Sequence, residues 1–376
     1  MMPDRATRIA YLSLQSVADG QDTWAAVTEV IGGMEAAGWD VTRYFPAYPS
    51  GAAPGPLGRL AEMWRVQRRL SRRLADYDAI YIRAHQMAWF TARRARRLGI
   101  PVVQECNGPY EDLFIAWPIA RIGRPIFNSL QRSQYRWASA IISVAEGLSE
   151  WLRRESGNKY VVTNGNGANV EVFSPDAPRR AGLPEQFAVF FGQFAAWQGI
   201  QTLLDAVGLP EWPDGLAMVF VGDGALRPLI EQSAVEMPER VVYLGRLPYE
   251  EVAGVAAHAV VSYVPMAAPE RERMFSPLKL YESMACGVPV VATDVTGISE
   301  IVDECDCGIL VPAGDGASIG AATAQLLSDP ATASQMGRRG RDAAVARYSW
   351  STRALQRQEV IEGAILRASR RFATPA

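Results

Sequence analysis

Ser276, Pro277, Leu278, Lys279 and Glu282 are close enough in sequence to hold an anion and, one helical turn further on, to read a pair of hydroxyls. Serine is a good helix N-cap and proline fits the first helical position, so the spacing predicts a helix capped by Ser276 and entered through Pro277. Leu278, Leu280, Tyr281 and Met284 are spaced for burial, and Gly287 followed by Pro289 supplies the stop. The first free amides, those of Leu278 and Lys279, then emerge at the positive end of the helix dipole, where the Lys279 ammonium adds a full charge. Such an end suits phosphate. Glu282, a turn deeper, suits the two hydroxyls of a ribose better than it suits a phosphate, so the pair reads as a clamp for a nucleoside diphosphate.

The run FSPLKLYESMACGVPVVATD, residues 275–294, resembles the donor-binding motif of retaining glycosyltransferases of the GT-B fold, in particular glycosyltransferase family 4. The family pattern is a glutamate, seven residues, a second glutamate and a run like AMACGxPVVAT. Glu282 matches the second glutamate, whereas Met274 stands where the first belongs. Residues 190–207 resemble the segment in which glycine-arginine ends a strand and lysine-glycine opens the next helix, supplying two cations to the donor diphosphate. Here Gly192 is kept, and Gln193 and Gln198 take the places of the cations. Glutamine donates hydrogen bonds but does not neutralise a leaving group, so charge must come from elsewhere, with Arg271, Arg273 and Lys279 the replacements at hand. Gly222, in the glycine turn VFVGDG, ends a strand where α/β proteins line their ligand crevice. Arg246 and Leu247 lie in YLGRLP, which resembles the family loop that contacts the nucleotide base.

The resemblance implies two Rossmann-like doubly wound α/β domains. The first, residues 1–178, receives the acceptor. The second, 186–348, holds the nucleotide-sugar, and a helix in 349–376 crosses back to the first. It implies a hexosyltransferase that moves a sugar from a UDP- or GDP-sugar to a carbohydrate or lipid-linked acceptor with retention, in polysaccharide or glycolipid assembly. The departing diphosphate helps take the acceptor proton, which leaves the protein to position the reactants and stabilise the leaving group. Two other functions fit the same residues: a glycosyltransferase for a soluble metabolite, and a nucleotide-sugar-binding protein that has lost transfer through Met274, Gln193 and Gln198.

The elements that must position these residues are legible as apolar runs alternating with helical patterns, the mark of parallel sheets. Runs at 8–14, 40–45, 79–84, 101–106, 140–145 and 160–165 form one series. The proline- and charge-rich stretch 177–186 reads as a linker before a second series, which begins at 187–192. A chain of 376 residues, 49% hydrophobic and 21% charged, is long enough for two such domains. No apolar run reaches the ~18 residues a membrane span needs, and a cytoplasmic location is expected. A net charge of −2 argues against a nucleic-acid partner. Four cysteines and two histidines make no metal-ligand constellation, and no cofactor beyond the donor is expected.

Asp76-Tyr77-Asp78 has the spacing of a divalent-metal site but precedes a strand, and reads as strand-entry capping; metal independence follows as the expectation. His85, after a strand end, is a candidate on the acceptor side. Asn107 stands where many family members carry a histidine that meets the sugar, and joins His85 and Lys279 as a catalytic candidate. Between Arg59 and Arg97 there are 11 arginines against three acidic residues. The helical pattern there puts Leu60, Met63, Trp64, Leu70 and Leu74 on one face, which suits peripheral contact with an anionic membrane at its inner face, or a packed helix with a solvated arginine face.

Overall fold

The computed structural model describes residues 6–15, 22–48, 55–116, 118–267 and 276–373. The chain divides into two units, residues 1–165 with 354–376, and residues 166–353. Each is built on a six-stranded sheet in which every pairing is parallel.

In the first unit the strands are β1 (Arg8–Leu12), β2 (Asp40–Tyr44), β3 (Ala79–Arg83), β4 (Val102–Cys106), β5 (Ala140–Ser143) and β6 (Val161–Thr163), in the order β2-β1-β3-β4-β5-β6. Helices cover both faces of such a sheet, so its strands bury consecutive residues rather than alternate ones, as Ile9 to Leu12 do. The chain runs outward from β1 to β2 and returns to the far side of β1 at β3. That reversal opens a crevice outside the C-terminal ends of β1 and β3. Asp78 enters β3 by accepting the Arg8 amide at 2.8 Å, and Asp76 pairs with Arg73 at 2.9 Å, so these two carboxylates serve local structure.

The helix Pro56–Ser71 buries Glu62, Val66, Gln67 and Leu70. Leu60 and Trp64, expected on the same apolar face as Leu70, are 46% and 53% exposed. At about 100° per residue they fall on the stripe next to the one through Val66, Gln67 and Leu70, with Leu57 beside them.

The second unit holds β7 (Phe187–Gln193), β8 (Ala217–Asp223), β9 (Val241–Tyr243), β10 (Val261–Val264), β11 (Val290–Thr293) and β12 (Gly308–Val311), in the order β12-β11-β10-β7-β8-β9. Its reversal lies between β7 and β10. The unit begins at Asn166, not after 178 as the linker-like composition suggested. The cause is packing: Phe173 is fully buried in this core, the Ala168 amide bonds to the Tyr348 carbonyl at 2.9 Å, and Arg341 donates to the carbonyls of Val170, Phe173 and Ala285.

The last helix, Trp350–Ala373, is capped by Ser349, whose Oγ accepts the Thr352 amide at 3.2 Å. From Ala354 onward it belongs to the first unit, burying Ile361 and Ala364 and donating from Gln358 to the Gly33 carbonyl at 3.0 Å.

Candidate functional site

In the second unit the residues singled out by sequence gather at the C-terminal end of β7. Gly192 and Gly222 lie opposite one another in the ladder with φ of 123° and 139°. A Cβ on Gly222 would come within 1.9 Å of the Gly192 carbonyl oxygen, so only glycine allows these strand ends to close up. The helix Leu278–Ala285 delivers Lys279 to this point. Its Nζ donates to Gln198 Oε1 at 2.7 Å and stands 3.7 Å from the centre of the Phe190 ring, and a Cβ on Gly192 would meet it at 3.6 Å. Positions 193 and 198 carry no cation, and the ammonium at this strand end comes from a different element, the helix Leu278–Ala285. Lys279 is 6% exposed, and its partial desolvation strengthens any charge interaction it makes. Because an ammonium only donates, the contact fixes the Gln198 amide with its oxygen on Lys279.

The helix start differs from expectation by one residue: Pro277 is the N-cap and Leu278 the first helical residue. Ser276 does not cap because its hydroxyl is engaged elsewhere, accepting the Asn166 amide at 3.0 Å and bonding the Tyr281 hydroxyl at 2.9 Å. The Asn166 side chain also donates to the Ser276 carbonyl at 2.7 Å, which anchors the segment before the helix. The first amides thus carry no side-chain cap. Glu282 lies one turn in, 6% exposed, with the Tyr249 hydroxyl donating to Oε1 at 3.4 Å. Tyr249 in turn packs edge-on against Phe173. Leu280 and Met284 are fully buried and hold the helix in place; cutting either back to alanine would cost on the order of 2–5 kcal/mol.

Gln193 and Arg246 are exposed and Leu247 is half-buried in the turn after β9, where Gly245 accepts the Gly222 amide at 2.9 Å. Arg271 and Arg273 lie outside the described residues. Three contributors had not been singled out by sequence: Phe190, Tyr249 and Asn166. Only Phe190 left a signal, since it sits two residues before Gly192 in the same strand.

In the first unit a cavity of about 440 Å³ opens outside the ends of β1, β3 and β4, and both His85 and Asn107 line it, with Gln15, Arg83 and Tyr110. His85 Nδ1 accepts the Met87 amide at 3.2 Å, which leaves the proton on Nε2, and burial pushes its pKa down to about 4. An imidazole neutral at physiological pH can donate a hydrogen bond but carries no charge. Because the folded value lies below the ordinary 6.5, the unfolded chain takes up this proton first; the stabilisation is complete above about pH 6.5 and is lost as pH falls toward 4. The chain has two histidines, and proton NMR should find the His85 ring titrating with a midpoint near 4. A midpoint near 6.5 would put the ring in water.

At the cavity wall Arg83 pairs with Glu105, which lies behind it, at 2.6 Å, both largely buried. Burial works to raise the Glu105 carboxyl, but Arg83, Arg357 and hydrogen bonds from Asn107 and Tyr81 outweigh it and hold the pKa below the ordinary value. Its contribution to stability is present above the ordinary carboxylate range and lost as pH falls through the folded value. Removing one partner of such a pair typically costs about 3–5 kcal/mol.

Among the described residues no group of three or more His, Cys, Asp or Glu is placed to hold a metal, and no helix is long and apolar enough to cross a membrane. On the first unit Leu57, Trp64, Phe90, Ile119, Ile122 and Ile126 are exposed, and Trp64 packs edge-on against Phe90 at 5.4 Å.

Residues 23–167 match the model of a glycosyl transferase 4-like domain, and residues 185–329 that of glycosyl transferases group 1. Over 312 residues the chain is 29% identical to a phosphatidyl-myo-inositol mannosyltransferase of Mycobacterium leprae, covering 82% of this chain and 80% of the relative. Among solved structures it is similar to sucrose-phosphate synthase from Thermosynechococcus elongatus, with a TM-score of 0.79 at 22% identity over 96% of this chain and 100% of the other. It is also similar to Anabaena Alr3699/HepE in complex with UDP, with a TM-score of 0.70 at 16% identity over 95% and 100%. With one matching domain in each half and a parallel sheet under each, the chain is a glycosyltransferase of the GT-B fold.

Proposed function

We propose that this glycosyltransferase moves a hexose from a UDP- or GDP-sugar, with retention of anomeric configuration, to a hydroxyl of a carbohydrate or lipid-linked acceptor. The observation that carries the donor half is Lys279: a desolvated ammonium at the end of β7, held by Gln198 and Phe190, on the helix whose first amides have no side-chain cap. Cation and amides together suit a diphosphate, and Glu282 one turn deeper suits the ribose. As the bond from the anomeric carbon to the diphosphate oxygen breaks and the bond to the acceptor oxygen forms, the acceptor proton passes to the leaving diphosphate. The protein then needs no nucleophile of its own and no metal. The cavity with His85 and Asn107 takes the acceptor; a neutral Nε2–H and a carboxamide are groups that read hydroxyls. A relative whose name specifies phosphatidyl-myo-inositol supports a lipid-linked acceptor.

The test is release of nucleoside diphosphate from a panel of UDP- and GDP-sugars in excess EDTA, with the anomeric proton of any product read by NMR. A protein that only binds donor would release none, a strict need for magnesium or manganese would overturn the metal-free chemistry, and an inverted product would overturn retention.

The exposed Trp64 and Phe90, within the arginine-rich stretch from Arg59 to Arg97, together with the exposed Leu57 just before it and Ile119, Ile122 and Ile126 after it, suit peripheral contact with an anionic bilayer. The chain should float with vesicles containing phosphatidylglycerol at low salt, less so with neutral vesicles, and Ile122→Glu with Trp64→Glu should abolish flotation. Equal recovery with both kinds of vesicle would remove the electrostatic part of this reading.

A further inference from the structure

Glu105 is 2% exposed, yet four groups converge on its carboxylate. Arg83 donates to Oε1 at 2.6 Å, Asn107 Nδ2 to Oε1 at 2.8 Å and Tyr81 to Oε2 at 2.7 Å. The fourth is the charge of Arg357, 2% exposed, which comes from the last helix. Two of these partners, Arg83 and Asn107, line the cavity. A carboxylate only accepts, so it dictates which end of the Asn107 carboxamide faces it: the nitrogen does, and the oxygen is left for a ligand. We propose that Glu105 is a positioning residue, which grips Asn107 by Nδ2 and thereby presents Oδ1 to the cavity as a fixed hydrogen-bond acceptor for a hydroxyl of the acceptor substrate. The assignment rests on the reading of this cavity as the acceptor site.

Glu105 is too enclosed to meet a substrate itself, and with two arginines beside it the carboxylate does not take up a proton near neutrality. Its work is done through Asn107. An amide at position 105 could either donate or accept, and so would let the Asn107 carboxamide turn over. Arg357 makes the last helix part of this support, because the one carboxylate faces two guanidinium groups, from β3 and from that helix.

The full chain labelled with 15N-asparagine reports the first step directly, with the Asn107 side-chain signal assigned by its loss in Asn107→Asp. Exchange of its Nδ2 protons should be about 10-fold or more slower in the wild type than in Glu105→Gln. With methyl α-D-mannopyranoside as acceptor probe, Glu105→Gln should raise the probe's KM about 5-fold while kcat stays within about 2-fold. In the double variant Glu105→Gln, Asn107→Asp the donor and acceptor exchange places, the negative charge is restored and a carboxylate oxygen again faces the cavity, so KM should return toward the wild-type value. A merely structural role would instead lower kcat with the folded fraction and leave KM alone.

Equal exchange rates in wild type and variant, or an unchanged KM in folded Glu105→Gln, would overturn the proposal. If the wild type hydrolyses donor but neither binds nor uses the probe, the acceptor reading of the cavity falls for this class of sugar and the positioning role falls with it. Exchange then shows only whether Glu105 fixes Asn107. Absence of donor hydrolysis would count against the transferase reading instead.

Discussion

Lys279→Ala lowers kcat by about 100-fold or more while donor affinity changes much less, because the charge that Lys279 meets is greatest in the transition state. In the ground state the diphosphate already shares its charge with the sugar bond; as that bond breaks, a further negative charge collects on the leaving oxygen. An ammonium already turned toward the site and stripped of most of its water answers that charge without reorganising. Both conditions hold here, with Gln198 at 2.7 Å orienting the group and the Phe190 ring at 3.7 Å replacing solvent. Lys279→Met keeps most of the aliphatic stem over Phe190 and should be as slow as the alanine variant, which separates charge from packing. Turnover by rapid quench and donor binding by calorimetry give the two quantities. Near wild-type turnover in both variants would mean that the cation is supplied from a segment outside this cluster.

The apolar runs of the inner strands β1, β3, β4, β5 and β7 were legible because parallel strands buried on both faces leave hydrophobic stretches bounded by glycine, proline or charge. What was not legible depends on contacts distant in sequence. The junction at Gly165–Asn166 was masked by the polar look of 177–186, while Phe173 and Ala168, apolar and unremarkable in sequence, were already part of the second core. Ser276 has the best chemistry for an N-cap, yet its hydroxyl is engaged by Asn166, 110 residues earlier. The substitution of glutamine for two expected cations was visible at once. That Lys279 reaches Gln198 across 81 residues was not, because helix periodicity gives the face of a side chain but not the strand it meets. Leu60 and Trp64 show a related limit: adjacent stripes of one helix differ by a small angle, and only packing decides which is buried.

Glu282→Ala should weaken donor binding by about 1.5–3 kcal/mol, the range for losing a hydrogen bond to a charged group, or roughly 10- to 150-fold in Kd. The carboxylate sits one turn beyond the amides proposed for the diphosphate, the spacing at which a ribose follows its phosphates, and at 6% exposure it exchanges few of its interactions with bulk water. Tyr249 donates to Oε1 at 3.4 Å, and burial with the nearby Glu282 charge pushes the neighbouring Cys286 thiol up, out of the reactive range. The alanine variant also takes a partner from Tyr249, so affinity must be read beside stability. Glu282→Gln keeps the shape and an oxygen for Tyr249 but gives up the charge; since charge-assisted hydrogen bonds are about twice as strong as neutral ones, it should fall between wild type and alanine in affinity while melting close to the wild type. Calorimetric titration of all three proteins with UDP and GDP, and with the same bases as 2′-deoxyribonucleoside diphosphates, isolates the sugar contact. A carboxylate that reads both ribose hydroxyls should discriminate against the deoxy ligands in the wild type and lose that discrimination in Glu282→Ala. Equal affinity for ribo and deoxy ligands in the wild type, together with an alanine variant that binds as tightly, would leave Glu282 as the packing partner of Tyr249 and place the ribose against another part of the unit.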